Sequence, residues 1–405
     1  MSMNTIKKCK AYKIKDSRGD ETLEVEMSSN GHTVWASVPA GKSTGSREAV
    51  ALPVDEAVWN VNRVISPELI GKKADVFEVD DLLVSLDGTE NKSNLGANAI
   101  LGVSLATLKL EAKIANQPLW KHIQSLGHPV SKSVGFPRLF VNVLNGGAHA
   151  KFRLPFQEYM FVLGNGMNVA GPINQLQTLF EQLKKKLEAE GKEIKMGDEG
   201  GFSFESDDIE EPFNILSELH DKLAIDVAGG EFFENGEYNV CGQKYSLEKL
   251  SNLYELLVKK YPLISIEDPF ADNDFEAFAF VTKKMRDYGV ISQKEDVLVV
   301  GDDLTTTNPQ MIAKAVDGKL INAVLIKPNQ IGTISETLKA IKMTHEAGLK
   351  TIISHRSGET MDSFIADLAM GVGAFGLKAG TMFQSERKEK YDRLLEIEQE
   401  VNSEK

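Results

Sequence analysis

Apolar and polar positions along the chain divide it into two parts of different rhythm. Residues 5–15, 21–28 and 32–37 read as strands, and helical patterns follow, notably "NLGANAILGVSLATLKLEAKIA" (94–115). Strands followed by helices over 1–125 predict a small α+β domain. The stretch 126–138, "LGHPVSKSVGFPR", has two prolines, two glycines and little apolar periodicity, so it reads as a linker. From 139 to 405 short apolar runs recur at 139–144, 157–163, 223–228, 263–267, 297–302, 322–327, 350–354 and 374–378. Amphipathic stretches separate most of the later runs. In "SLEKLSNLYELLVKKY" (246–261) Leu250, Leu253, Tyr254 and Leu257 share one helix face. Asn308 before Pro309 is a helix start, and Gly348 closes "SETLKAIKMTHEAG". Eight strands alternating with helices over about 250 residues predict a (β/α)8 barrel. A doubly wound open sheet is the alternative that strand counting leaves open.

The strand ends carry the chemistry. Asp226 ends "LAID", Glu267 ends "LISIE" and Asp302 ends "VLVVGD", at separations of 41 and 35 residues. Each separation is about one strand–helix unit, so three successive units bring a carboxylate to the C-terminal rim where barrel active sites lie. One acid there is ordinarily a solvated helix cap. Three in register suit a hard cation such as Mg²⁺, which takes a few carboxylates and leaves positions for water and substrate. The next units supply cations: Lys327 after "AVLI", His355 and Arg356 after "TIIS", and Lys378 after "AFGL". Singly, each lysine is as easily a salt-bridge partner; together they face the acids across one mouth and attract an anion. A lysine held between metal and other cations is expected to have a lowered pKa, which makes it a usable base.

Composition narrows the choice. The chain has 405 residues, enough for two or three domains. Its apolar content of 42% and charged content of 26% are ordinary for a soluble globular protein. A net charge of −13 argues against a nucleic-acid or anionic-membrane surface, so an anionic substrate needs local positive charge. The two cysteines, Cys9 and Cys241, have no metal-ligand spacing and fit a reducing compartment. "MSMNTIKKCK" has no apolar segment behind it, so no signal peptide is expected, and no run reaches a membrane span. These features predict a cytoplasmic protein. "AGKSTG" lacks the spacing of a nucleotide phosphate loop, and "GDEGG" alone is only an acidic turn.

Longer blocks resemble the enolase family. They are "SVPAGKSTGSREA" (37–49), "SLDGTENKSNLGANAILGVSLA" (85–106), "LNGGAHA" (144–150), "QEYM" (157–160), "GDEGG" (197–201), "SIEDPF" (265–270), "DDLTTTN" (302–308), "IKPNQIGT" (326–333) and "SHRSGET" (354–360). The resemblance runs from about residue 5 to 400. It implies an N-terminal lid domain and a barrel whose first two strands are antiparallel; the short 145–156 connection, with no room for a crossover helix, agrees. It implies reversible dehydration of 2-phosphoglycerate to phosphoenolpyruvate. The superfamily's known pattern, a Lys or His base with Mg²⁺ stabilising an ene-diolate, is taken over from that resemblance. Transferred by motif, Asp226, Glu267 and Asp302 bind a first Mg²⁺, and Ser43 reaches a second that binds with substrate. Lys327 is the base, Glu199 the acid, and Glu158 supports it. Lys378 meets the substrate carboxylate, Arg356 and Ser357 meet the phosphate, and His149, Gln157 and His355 line the pocket. The resemblance also implies a homodimer or an octamer of dimers, and allows a fraction at the cell surface.

Several segments depart from the family's usual pattern. Asp20 and Glu21 stand where Asn-Pro is common. The segment after "GSREA" lacks a customary basic, Gly-rich insertion, "GGFSFES" (200–206) is unusual, and Lys151 and Arg153 lie near the pocket loop. Two rivals stay open on the residues: another lyase of the same superfamily, which would not need the phosphate set, and a non-catalytic surface-binding protein of the plasminogen-binding kind, suggested by the terminal Lys405.

Overall fold

The computed structural model describes residues 4–42, 45, 47–127, 135–150, 153–197, 199–292 and 296–403. Alternation in the N-terminal part builds an antiparallel sheet of Lys8–Lys15, Glu21–Ser29 and His32–Ser37. Its inner face, with Leu23, Val25, Met27, Val34 and Ala36, is buried together with the long helix Ala97–Ile114. Helices Val54–Asn60, Val76–Asp87 and Leu119–Ser125 complete this part, beside shorter turns.

The eight later strands close on themselves. In spatial order they are Arg138–Asn145, Glu158–Leu163, Leu223–Asp226, Leu263–Glu267, Leu298–Gly301, Ala323–Ile326, Lys350–Ser354 and Gly376–Lys378. The eighth pairs in parallel with the first, which excludes the open sheet. The second runs antiparallel to both neighbours, and the other pairings are parallel. Hence the short connection after the first strand.

Two of these strands stop one residue short of their predicted ends. Asp302 follows the fifth strand and opens a turn in which Thr305 and Thr306 donate backbone hydrogen bonds to its carbonyl. Lys327 follows the sixth strand and stands at the N-cap position of the helix Pro328–Ile331. Helix signals hold well. Asn308 accepts from Gln310 N–H at 2.9 Å, and the helix of 246–261 forms over Leu247–Lys260 behind Ser246. Two small features have no periodic signal and were not predicted. One is the three-stranded sheet of Phe233–Glu234, Glu237–Val240 and Gln243–Tyr245. The other is a hairpin, Lys195–Met196 with Phe202–Ser203, whose Phe202 pairs with Leu144 of the first barrel strand. A last helix, Ser385–Ser403, packs outside the barrel. Among the described residues no helix is long and apolar enough to cross a membrane.

The barrel interior is a compact apolar floor: Phe140, Met160, Val162, Ala224, Leu298, Val300, Ala323, Leu325 and Ile352. Strand side chains alternate between faces, so the next inward position along each strand lies one step nearer the mouth.

Candidate functional site

That parity delivers the charged groups. Two residues beyond Ala224 comes Asp226; two beyond Val300 comes Asp302; two beyond Leu325 comes Lys327. The second strand runs the other way, so its first residue, Glu158, stands at the same rim two before Met160. Register sets Asn145 beside Glu158, Glu158 beside Asp226 and Asp226 beside Glu267. The polar rim above an apolar floor thus follows from the two-residue period together with register shifts at Asn142/Leu144 in the first strand and Leu263/Ser265 in the fourth.

The eighth strand places Lys378 among these acids. Its Nζ donates to both oxygens of Glu267 at 3.0 and 2.8 Å, and lies 3.0 Å from Glu158 and 3.4 Å from Asp226. All four side chains are buried. Burial, then the charge of Asp226, raises Glu267 well above the usual carboxylate range; burial, then Glu199, does the same to Glu158. Burial pulls Lys378 down, but the charges of Glu158, Glu267 and Asp226 outweigh it and hold the ammonium well above its usual value. Gln157 Nε2 donates to Asp226 at 3.3 Å.

Lys327 pairs with Asp302 across the same mouth, and Gln330 Nε2 donates to Asp302 at 2.8 Å. Burial lowers the Lys327 pKa, yet the Asp302 charge wins and raises it. The lowering expected from the sequence belongs to a lysine held between a metal and other cations. Here the opposite charge of Asp302 favours the ammonium, against the lowering effect of Arg356 and Lys378. Burial would raise Asp302, but Lys327 holds it below the usual range.

A second acid set lies beside the first. Asp268, Asp302 and Asp303 bring ligand oxygens within 4.8 Å of one another. Asp268 also accepts from the backbone N–H of Asp302 at 3.0 Å and of Asp303 at 2.7 Å, fixing the turn that carries them. Burial, then the neighbouring aspartates, raises Asp268 well above its usual value and Asp303 to about 7. Asp303 escaped the sequence reading, and Asp268, visible beside Glu267 in "SIEDPF" as an acid that a cation could compensate, was not among the ligands expected there. Among the described residues the clustered donors Asp226, Glu267, Asp268, Asp302 and Asp303 offer carboxylate oxygen, and buried carboxylates of one sign need positive charge. Those residues fit a hard divalent cation.

The acid of "GDEGG" is carried by the unpredicted hairpin. Docked on the first strand, it lowers Glu199 into the mouth, where Asn142 Nδ2 donates to Oε2 at 3.1 Å. His355 Nε2 approaches the same oxygen at 3.4 Å. At the third corner, Arg356 makes a two-pronged pair with Glu48, with nitrogen–oxygen distances of 3.0 and 3.1 Å, and donates to Asn329 at 3.1 Å. Gly41 passes so close that a Cβ there would lie 1.8 Å from Arg356 Nη2, which is why this position has no side chain. Ser357 Oγ accepts from Lys42 N–H at 2.8 Å and from Arg18 at 3.4 Å. Glu158, Glu199, Asp226, Asp302, Lys327, His355, Arg356, Ser357, Lys378 and Gln157 line one pocket. The Ser43 position and the His149 side chain lie outside the described residues, as do Lys151 and Lys405.

Comparison with known proteins bears on all of this. Residues 6–123 match the family model "Enolase, N-terminal domain", and residues 133–405 match "Enolase, C-terminal TIM barrel domain". The chain is 42% identical over 427 residues to the enolase of Ureaplasma parvum serovar 3, covering 96% of this chain and 95% of that protein. It is 39% identical over 418 residues to an enolase of Campylobacter jejuni subsp. jejuni, covering 98% of each. The enolase of Elusimicrobium minutum is 39% identical over 421 residues, covering 98% of this chain and 97% of that protein.

Proposed function

The chain belongs to the enolase family, and from that premise we propose that Lys327 and Glu199 divide between them the reversible dehydration of 2-phospho-D-glycerate to phosphoenolpyruvate. The activity is a lyase reaction of glycolysis. The C2–H and C3–O bonds break, a C2=C3 double bond forms, and water leaves. Lys327 takes the C2 proton. Glu199 gives a proton to the C3 hydroxyl, a poor leaving group unless protonated, and Glu158 supports it. Lys378 meets the substrate carboxylate. Arg356 and Ser357 meet the phosphate, and the planar guanidinium suits two-pronged contact with it. Gln157, His149 and His355 line the pocket.

Asp226, Glu267 and Asp302 would hold one Mg²⁺, and Ser43 would reach a second that arrives with substrate. Bound there, the ions supply positive charge against the substrate carboxylate as the C2 proton leaves. Residues 1–125 serve as the lid, joined through 126–138 to the barrel of 139–405. Closing it excludes water from the reacting atoms. The surroundings are cytoplasmic, and the partner is a second copy of the chain, in a dimer or an octamer of dimers.

The observation that carries this reading is the separation of acid from base. Glu199 hangs over the first barrel strand and Lys327 stands at the end of the sixth, three strands away around the closed sheet. Two protons can then be handled by two groups. Glu199→Gln should still exchange the C2 proton of 2-phosphoglycerate with deuterated buffer while forming almost no phosphoenolpyruvate. Lys327→Ala should lose both. An acid or base of this kind contributes about 10²–10⁴-fold, and NMR of the C2 signal with phosphoenolpyruvate absorbance reads the two steps apart. Exchange at the wild-type rate in Lys327→Ala places the base elsewhere.

A further inference from the structure

Arg387, on the C-terminal helix, is fully buried and stands outside the reaction described above. Its two Nη groups are spent on one loop. Nη1 donates to the carbonyl of Arg356 at 3.3 Å, Nη2 to the carbonyl of Ser357 at 3.1 Å, and Nη1 also meets Nδ1 of His355. Among the described residues no carboxylate forms an ion pair with it. A buried cation without a counter-charge is costly, and here three acceptors of the 355–357 segment, together with Gln384, offset that cost.

We infer that Arg387 is a positioning residue for the acid step, fixing His355 as the tautomer that carries its proton on Nε2 and presents it to Glu199. A guanidinium has donors and no acceptor, so the His355 nitrogen facing it must be the bare one. In a neutral ring the proton is then on Nε2. That nitrogen lies 3.4 Å from Glu199 Oε2, close enough to tighten into a hydrogen bond when the site closes. Burial supports the neutral ring by lowering the His355 pKa to about 4. Asn142 donates to the same Glu199 oxygen at 3.1 Å. A space has been kept for the contact: a Cβ on Gly380 would lie 2.6 Å from Arg387 Cδ and 2.9 Å from His355 Cε1. Lysine cannot reproduce it, since one ammonium on a flexible stem cannot span acceptors on three residues with a fixed fork.

This inference rests on reading Glu199 as the acid, and the tests separate the two. In full-length protein labelled with ¹⁵N-histidine, the His355 signal, assigned by its loss in His355→Gln, should show the Nε2–H pattern at neutral pH. An Nδ1–H pattern overturns the inference without touching Glu199. Arg387→Gln should move that signal toward the Nδ1–H or a mixed form. It should also lower the rate of phosphoenolpyruvate formation about 10-fold or more, short of the loss on removing the acid itself, while C2 exchange and KM stay within about threefold. A wild-type rate and an unchanged signal in Arg387→Gln overturn the role. Where that variant does not fold, Arg387→Lys takes its place under the same criteria, and the wild-type tautomer still decides. Full dehydration in Glu199→Gln sinks the acid assignment itself, whatever the tautomer of His355.

Discussion

Lys378 shows what a single residue must balance at this mouth. Its ammonium is shared by Glu158, Asp226 and Glu267, all buried beside it. Without a cation, each of those carboxylates is desolvated next to another of the same sign, and removing one partner of a buried pair costs about 3–5 kcal/mol. Lys378→Met should therefore lower thermal stability strongly in chelator. If Asp226 and Glu267 are metal ligands, Mg²⁺ should restore part of the loss, because the ion supplies the charge that the ammonium did. Thermal melts with chelator and with excess Mg²⁺ read this without any turnover. Equal melting temperatures in the two conditions would show that no cation enters the ring. Asp226, Glu267 and Asp302 were legible as strand-end acids because about one strand–helix unit separates each from the next. That Lys378 would sit among them was not, since 111 residues separate it from Glu267 and only barrel closure joins them.

Elements were legible where local chemistry decides them and obscure where a distant surface does. A cap such as Asn308 acts within a few residues, and the structure has it. The hairpin bearing Glu199 is two residues long on each side and exists because Phe202 finds Leu144; no periodicity marks it. Arg387 and Asn142 escaped for the same reason, their partners being supplied by other elements. Asp80 is a further case. It lies on the helix Val76–Asp87 and accepts from Ser335 N–H, at the start of the helix Ile334–Glu346, at 2.8 Å. It thereby caps a barrel helix from the N-terminal part. Burial, opposed by Ser104 and Ser335, raises its pKa to about 6, against about 3.9 unfolded. Between those values the folded state holds more protons, so the contribution is full below the unfolded pKa and is lost as pH rises through about 6. Asp80→Asn removes the titration and keeps an oxygen for Ser335. Its stability relative to wild type should grow by about 1–3 kcal/mol from pH 4 to 7. A difference that stays flat in denaturant titrations across that range rejects the buried charge.

At the scale of the whole molecule, the N-terminal part and the barrel are fastened at many points. Ala40 and Gly358 exchange two backbone hydrogen bonds of 2.9 Å. Lys92 pairs with Glu336 at 3.0 Å and Glu48 with Arg356 at 3.0 Å. Lys109 pairs with Asp362 at 2.6 Å, and Asp362 also accepts from Ser37 N–H at 2.9 Å. Several of these ties end on the loop that carries Arg356 and Ser357, so the corner proposed to take the phosphate is assembled from both parts. A lid that melted alone would release Glu48, Gly41 and Lys42 and leave that corner incomplete. The ties therefore predict one cooperative unfolding transition rather than two. Lys109→Met tests this at a distance from the reacting groups. It leaves Asp362 buried without its cation, although Lys109 holds the Asp362 pKa below its usual value against burial. The loss should be about 3–5 kcal/mol. In calorimetry the whole transition should move down together, keeping a single peak and a matching van't Hoff enthalpy. A low-temperature shoulder, with the barrel still melting at the wild-type temperature, would mean that the two parts fold independently and that closure at the phosphate corner is not built into their shared stability.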